Sequence, residues 1–362
     1  MAAPQMVDIF RAAFEGRTGT VRLLLDNGAD VDVRNERGET PLWIAGEGDH
    51  AETVRLLLGR NANPDLADKQ QMSPVWIAAC EGLTEIVRLL LDKHADPNMP
   101  NIDGETHVCV AARAGNTETV RLLLERNANP NFPTCNDTTP IEAAARYGRT
   151  ETVRMLVEGQ HATVDQPNVS GWTPVGLAVC GGHTETVRMI VEGGHAEVNI
   201  QDQDGATLLM HAAERGFAET ARVLLKSNAD PNIVDRYGRS PVWAAADNGK
   251  TETVRVLVEN GANPNLPDNA GVSPIQAAAA CGEMEVVRLL AFDYRVQLVA
   301  RPLQLAFAMG LHGRLGSASA AHLLHNDVLQ RITKHLRWQP GDGDVEELVQ
   351  TLCLSLPTSV RT

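Results

Sequence analysis

Between Glu52 and Leu58 the chain reads Glu-Thr-Val-Arg-Leu-Leu-Leu, which places Val54, Leu57 and Leu58 at i, i+3 and i+4 with Glu52 and Arg55 on the opposite side. That spacing is one apolar stripe on a helix. The string, or a near copy, returns at Glu85, Glu118, Glu151, Glu185, Glu219, Glu252 and Glu285, in steps of 33 or 34 residues. Gly19-Thr20-Val21-Arg22 is a worn first copy, which makes nine. A fixed period of this length predicts one helical unit stacked in a row.

A second pattern lies upstream of each stripe. Thr40-Pro41-Leu42, Ser73-Pro74-Val75, Thr139-Pro140-Ile141, Thr173-Pro174-Val175, Ser240-Pro241-Val242 and Ser273-Pro274-Ile275 pair a hydroxyl with proline, while Thr106-His107 and Thr207-Leu208 keep only the hydroxyl. A hydroxyl at the N-cap takes an orphan N–H, and proline at the first helical position has none to leave unpaired. Small pairs such as Ala78-Ala79, Ala144-Ala145 and Ala245-Ala246 follow and permit close helix packing. Gly82, Gly115, Gly148, Gly182, Gly216, Gly249 and Gly282, with Asp49 once, then break this first helix. The second helix is expected to end at Gly28, Asn61, His94, Asn127, His161, His195, Asn228 and Gly261, residue types that tolerate positive φ. An extended segment such as Ala95-Asp96-Pro97-Asn98 and a turn such as Asp235-Arg236-Tyr237-Gly238 complete the unit.

Turn, capped helix, glycine loop and antiparallel helix in this period resemble the ankyrin repeat over residues 7–295. The resemblance implies an all-α solenoid of helix-turn-helix units with β-turn tips: nine repeats near 7–34, 35–67, 68–100, 101–133, 134–167, 168–201, 202–234, 235–267 and 268–295, within an array at 1–295. One departure is uniform. The histidine expected after Thr-Pro-Leu is replaced by Trp43, Trp76, Cys109, Glu142, Gly176, Met210, Trp243 and Gln276, which removes a local hydrogen bond and leaves the hydroxyl cap.

Composition narrows the function classes. A net charge of -14, without a basic stripe, repels a phosphate backbone and argues against nucleic acid. An aromatic content of 4% suits thin Ala, Val and Leu layers between helices. The six cysteines lie at 80, 109, 135, 180, 281 and 353, with no framework spacing, which reads as a reducing compartment, cytoplasmic with nuclear as the other option. The apolar run 297–311 is interrupted by Arg301 and too short to span a bilayer, and residues 1–14 lack a leader's pattern, so no membrane insertion is expected. A monomer is the expected state.

No nucleotide loop, metalloprotease helix or nucleophile elbow is spelled anywhere, so no enzyme, cofactor or metal is expected. His94, His161 and His195 read as caps, and His322, His325 and His335 lack a carboxylate or cysteine at ligand spacing. Arginine recurs at 22, 55, 88, 121, 154, 188, 222, 255 and 288, three residues after the repeated glutamate wherever that glutamate is present, a solvated ladder rather than a site.

The repeats disagree at their turn tips: Glu36, Arg37 and Glu39 in one, Lys69, Gln70 and Met72 in the next, Ile102, Asp103 and Glu105 in a third. Constant framework with variable tips is what a recognition surface requires, and the resemblance implies that partners are met there and on the first helices. Two clusters have the residue types of interface anchors. Arg113 and Arg146 share a helix position in adjacent repeats, with Tyr147 beside the second and Trp172 on the next tip; Arg236, Tyr237 and Arg239 share one tip, with Trp243 after it. Trp43, Trp76 and Trp243 read as filler between repeats, whereas Trp172 is expected to be an exposed indole. A protein partner with an acidic and apolar segment is the expected ligand.

Residues 296–337 depart from the period and read as a degenerate cap, with Pro302, Phe307, Met309 and the stripe Leu324, Val328, Ile332, Leu336; 338–362 reads as a flexible tail. Part of this stretch loosely resembles a SOCS box, or the first helix of an F-box. That resemblance implies the alternative of a substrate receptor for a cullin-type ubiquitin ligase. Asn98, Asn199 and Asn232 partly match the target pattern of an asparaginyl hydroxylase.

Overall fold

In the computed structural model the described residues are 3–291, apart from 160, 161, 163, 165, 166, 169, 170 and 195. The expectations placed on His161, His195, the cap at 296–337 and the tail lie outside them. The described residues belong to two compact units, one up to Glu197 and one from Val198.

The first unit pairs α1 (Ala3–Phe14) with α2 (Thr18–Asp26), α3 (Pro41–Glu47) with α4 (Ala51–Gly59), and α5 (Pro74–Glu81) with α6 (Thr84–Leu91). It continues with α7 (His107–Ala114) and α8 (Thr117–Glu125), α9 (Pro140–Arg146) and α10 (Thr150–Glu158), and α11 (Pro174–Cys180) and α12 (Thr184–Glu192). The second unit holds α13 (Leu208–Arg215) and α14 (Ala218–Lys226), α15 (Pro241–Asp247) and α16 (Thr251–Glu259), α17 (Pro274–Ala280), and α18 at 284–291. Within each unit first helices pack on first helices and second helices on second helices. The core between these columns is the predicted stripe, with Val54, Leu57, Leu90, Leu123, Leu156 and Leu224 buried.

The predicted caps are made. Thr40, Ser73, Thr106, Thr139, Thr173, Thr207 and Ser240 accept from the backbone N–H three residues on. At Ser273 the Gln276 side chain accepts from the cap residue's own N–H at 2.9 Å. The positive φ expected at the loop between helices is present at Asp49 and at Gly82, Gly115, Gly148, Gly182, Gly216, Gly249 and Gly282.

One cap position needs correcting. Asn61, His94, Asn127 and Asn228 carry positive φ at the end of the second helix, but in α12's repeat Gly194 does so, at +69°. The extra residue of a 34-residue repeat therefore follows this position, and His195 is one place too late.

Two ladders tie neighbouring repeats. On the extended segments Asn98 Oδ1 accepts from Asn129 N (2.7 Å), Asn199 from Asp230 N (2.8 Å) and Asn232 from Asn263 N (2.7 Å). The three asparagines of hydroxylase-like pattern are thus structural rungs. On the second helices, threonine hydroxyls pair across repeats: Thr18 with Thr53, Thr84 with Thr119, Thr117 with Thr152 and Thr150 with Thr186, at 2.7–2.8 Å. In the second unit Ala218 stands where such a threonine would, and buried Thr253, its register partner, has an Oγ1 without a hydrogen bond.

Candidate partner-binding surface

Each tip is closed from within. The side chains of Asn35, Asp68, Asn101, Asn168, Asp202, Asp235 and Asp268 accept from the N–H four residues on, at 2.8–3.0 Å, and Thr134 does the same at 3.1 Å. Short polar side chains that cap their own turn suit this place. With the backbone pinned, the residues between can vary without loss of the turn. This column was missed in reading the sequence, although its 33-residue recurrence marks it as plainly as the caps.

The first cluster is less available than its composition implies. Arg113 gives both arms to Glu105, Nε to Oε1 at 2.8 Å and Nη2 to Oε2 at 3.2 Å. That hydrogen bond raises the Arg113 pKa above its ordinary value. Arg113 therefore presents no open fork. Arg146 is exposed and makes no ion pair among the described residues, and Tyr147 beside it, the C-cap of α9, is exposed too. Trp172 is half-buried rather than an exposed indole, and its backbone N–H closes the Asn168 turn at 3.0 Å. The Asn168 amide also donates to buried Glu142 at 3.3 Å, whose pKa burial raises despite that bond. Glu142 sits in the column of the missing histidine, where a carboxylate can be kept only by such partners.

The second cluster is assembled. The Asp235 carboxylate, wholly shielded at 0% side-chain exposure, accepts from the backbone N–H of Tyr237 and Arg239 and from the Arg239 guanidinium at 2.7 Å. Arg239 then lies 4.8 Å from the Tyr237 ring centroid and 5.6 Å from that of Trp243. Arg236 lies 4.9 Å from the Tyr237 ring and pairs with Asp204 at 2.8 Å. Guanidinium groups at these distances are attracted by the ring quadrupole.

The other tryptophans behave as filler with an added bond. Trp43 and Trp76 are buried and Trp243 half-buried, and their indole N–H groups donate to the carbonyls of Met72 (2.9 Å), Glu105 (3.2 Å) and Val272 (3.0 Å) in the following repeat. The hydrogen bond lost with histidine is answered by one between repeats.

The period, the caps and the tip geometry meet in one comparison. A sequence profile described as ankyrin repeats (3 copies) matches residues 9–101, 93–168, 160–235 and 227–301. The chain belongs to the ankyrin-repeat family. It is also similar to the ankyrin repeat domain-containing protein oryK of Aspergillus oryzae (strain ATCC 42149 / RIB 40), 46% identical over 39 residues, a stretch that is 11% of this chain and 6% of that protein.

Ankyrin repeats are in general interaction modules rather than catalysts, and burial accounts for the shifted pKa values of Cys109 and His107. Burial pushes the Cys109 thiol up to about 12, which keeps that side chain a protonated thiol. His107 takes the place of proline at the start of α7. Its Nδ1 donates to the Pro97 carbonyl at 3.0 Å, its Nε2 accepts from the Ser73 hydroxyl at 2.8 Å, and full burial lowers its pKa to about 4. Among the described residues no group of three His, Cys, Asp or Glu side chains could hold a metal ion, and no helix is long and apolar enough to cross a membrane.

Proposed function

We propose that this ankyrin-repeat chain is a non-catalytic adaptor that binds a partner protein through its turn tips and the adjoining ends of its first helices. The observation that carries this reading is the division of labour among side chains. Framework polar groups are spent on caps, tip closures and ladders, whereas exposed Tyr147, Tyr237, Arg146 and Arg236 lie on tips or first-helix ends. Tyrosine and arginine are enriched in binding hot spots. In a chain of net charge -14 these cationic and aromatic positions favour an acidic and apolar partner segment. The reading places the chain in the cytoplasm, in keeping with a sequence whose cysteines follow no disulfide framework.

The test is affinity capture on the full chain from native extract, followed by calorimetry of the captured partner against variants. Arg146→Ala, Trp172→Ala and Tyr237→Ala probe the two clusters, and Arg255→Ala on the outer ladder is the control. A loss of about 2 kcal/mol in one cluster with the control unchanged is expected. Equal affinity across all variants would overturn the reading.

A further inference from the structure

We infer that the 235–239 tip is a preassembled anchor for a partner segment carrying a carboxylate beside an apolar side chain. The inference rests on the recognition reading above and specifies where it acts and on what.

Trp243, Arg239, Tyr237 and Arg236 form one continuous aromatic and guanidinium stack. Its inner half is held firmly, by the Asp235 carboxylate under Arg239 and by the bond of the Trp243 indole to the Val272 carbonyl. The rotamers of Trp243 and Arg239, with the Tyr237 ring against them, are therefore ordered on folding, which removes that part of the entropy cost from binding. Tyr237 nevertheless remains 49% exposed.

The two arginines are neutralised unequally. Arg239's partner is buried and cannot leave. Arg236's partner, Asp204, is 56% exposed on the adjacent tip, and an exposed ion pair of this kind contributes little. An incoming carboxylate can take the place of Asp204 at the Arg236 fork. The Tyr237 hydroxyl oxygen already accepts from Arg236 Nη2 at 2.8 Å, so its own proton is left to donate to the same carboxylate. Exposed Val234, which precedes the turn, offers the apolar contact. A charge-assisted fork plus a hydroxyl donor beside an apolar side chain matches an acidic and apolar segment, a local preference that acts against the net negative charge of the chain.

The probe is a displayed library of short random peptides, selected on the immobilised full chain. Selected peptides and their Glu→Gln and Asp→Asn counterparts are then measured by fluorescence anisotropy against wild type, Tyr237→Ala, Arg236→Gln, Asp204→Asn and Arg146→Ala. An acidic and apolar consensus is expected, with about tenfold weaker binding to Tyr237→Ala and Arg236→Gln. Asp204→Asn removes the competing carboxylate and should bind several-fold tighter, which a merely structural cluster would not do. Arg236 and Asp204 are both exposed, so these two variants keep the fold, and circular dichroism confirms it. Peptides that keep their affinity for Tyr237→Ala but lose it on Arg146→Ala would overturn this tip and leave the recognition reading intact. Binders indifferent to amidation, or no tightening with Asp204→Asn, would overturn the carboxylate exchange. A selection that enriches nothing would count against both readings.

Discussion

The tips around Glu105 and Asp235 each join an arginine to a carboxylate, but with the roles of tip and framework exchanged. At the first, the carboxylate is the last tip residue and draws Arg113 of α7 back onto its own repeat. At the second, the carboxylate is the buried turn closer, and the arginine is the last tip residue. Glu105 keeps 14% of its side chain exposed and Asp235 none. The difference teaches that residue type alone does not decide which charge a repeat shows its partner. Where the acid is buried in the turn, the surface shows guanidinium and aromatic groups; where the acid caps a helix arginine, it shows a closed pair.

The largest effect should come from removing the buried partner. Asp235→Ala deprives two backbone N–H groups and the Arg239 guanidinium of their acceptor, and it should cost about 3 kcal/mol in chemical denaturation. Glu105→Ala, at the half-open pair, should cost about 1 kcal/mol while freeing Arg113. Equal costs would break the comparison, because they would mean that burial of the carboxylate is irrelevant.

Next in size is a pH effect confined to the first unit. His107 follows the Glu105 tip, and its folded pKa of about 4 lies below the ordinary 6.5. The unfolded chain therefore binds more protons between these values, so stability is full above pH 6.5 and is lost as pH falls towards 4. By pH 5 the loss should be about 2 kcal/mol. Hydrogen exchange should show it around α5 and α7 and not around α15. His107→Pro restores the proline found at this position in most repeats. Thr106 already has an extended ψ of 168°, close to the 164° of Thr40 and Ser73 before their prolines. The variant should flatten the local pH dependence, and an unchanged slope would show that His107 is not its source.

Most of the fold was legible in the sequence because its determinants are local and repeat. Thr-Pro caps, loop glycines and the Val54-Leu57-Leu58 stripe each specify conformation within a few residues, and nine copies average out exceptions. The candidate site was legible in composition only. That Arg113 is engaged by Glu105 depends on two side chains from a tip and a helix, and that Trp172 is half-buried depends on its neighbours; neither has a periodic signal. Asp235 is legible as a turn residue, whereas its part in bracing Arg239 depends on burial of its carboxylate, which composition does not show.

A smaller effect follows from the threonine ladder, and it distinguishes the second unit. Thr253 Oγ1 is buried without a partner because Ala218 occupies the register of the donor threonine. Ala218→Thr should stabilise the second unit by about 1 kcal/mol, the net worth of one hydrogen bond at a group already desolvated. Thr253→Val removes the orphan hydroxyl instead and should have the same sign. Destabilisation by both would mean that the hydroxyl is served in another way.

The smallest effect is expected on the ladder that is most conspicuous in the sequence. Arg255 and Glu252 sit one helical turn apart at 3.4 Å, with side chains 49% and 61% exposed. Holding two long side chains in one geometry offsets most of their attraction, and salt screens the rest. Arg255→Ala should therefore shift stability by no more than about 0.5 kcal/mol. Arg239→Ala should shift it by more, since it strands a buried carboxylate. Both remove one guanidinium from the second unit, so the pair isolates burial of the acid as the variable. Thermal melts of the two variants at low and at high salt make the measurement. The Arg255 difference should vanish in high salt and the Arg239 difference should persist, because only the second carboxylate is out of reach of the counterions. If both fade together, the Asp235 carboxylate is hydrated in solution and the tip is not braced from beneath.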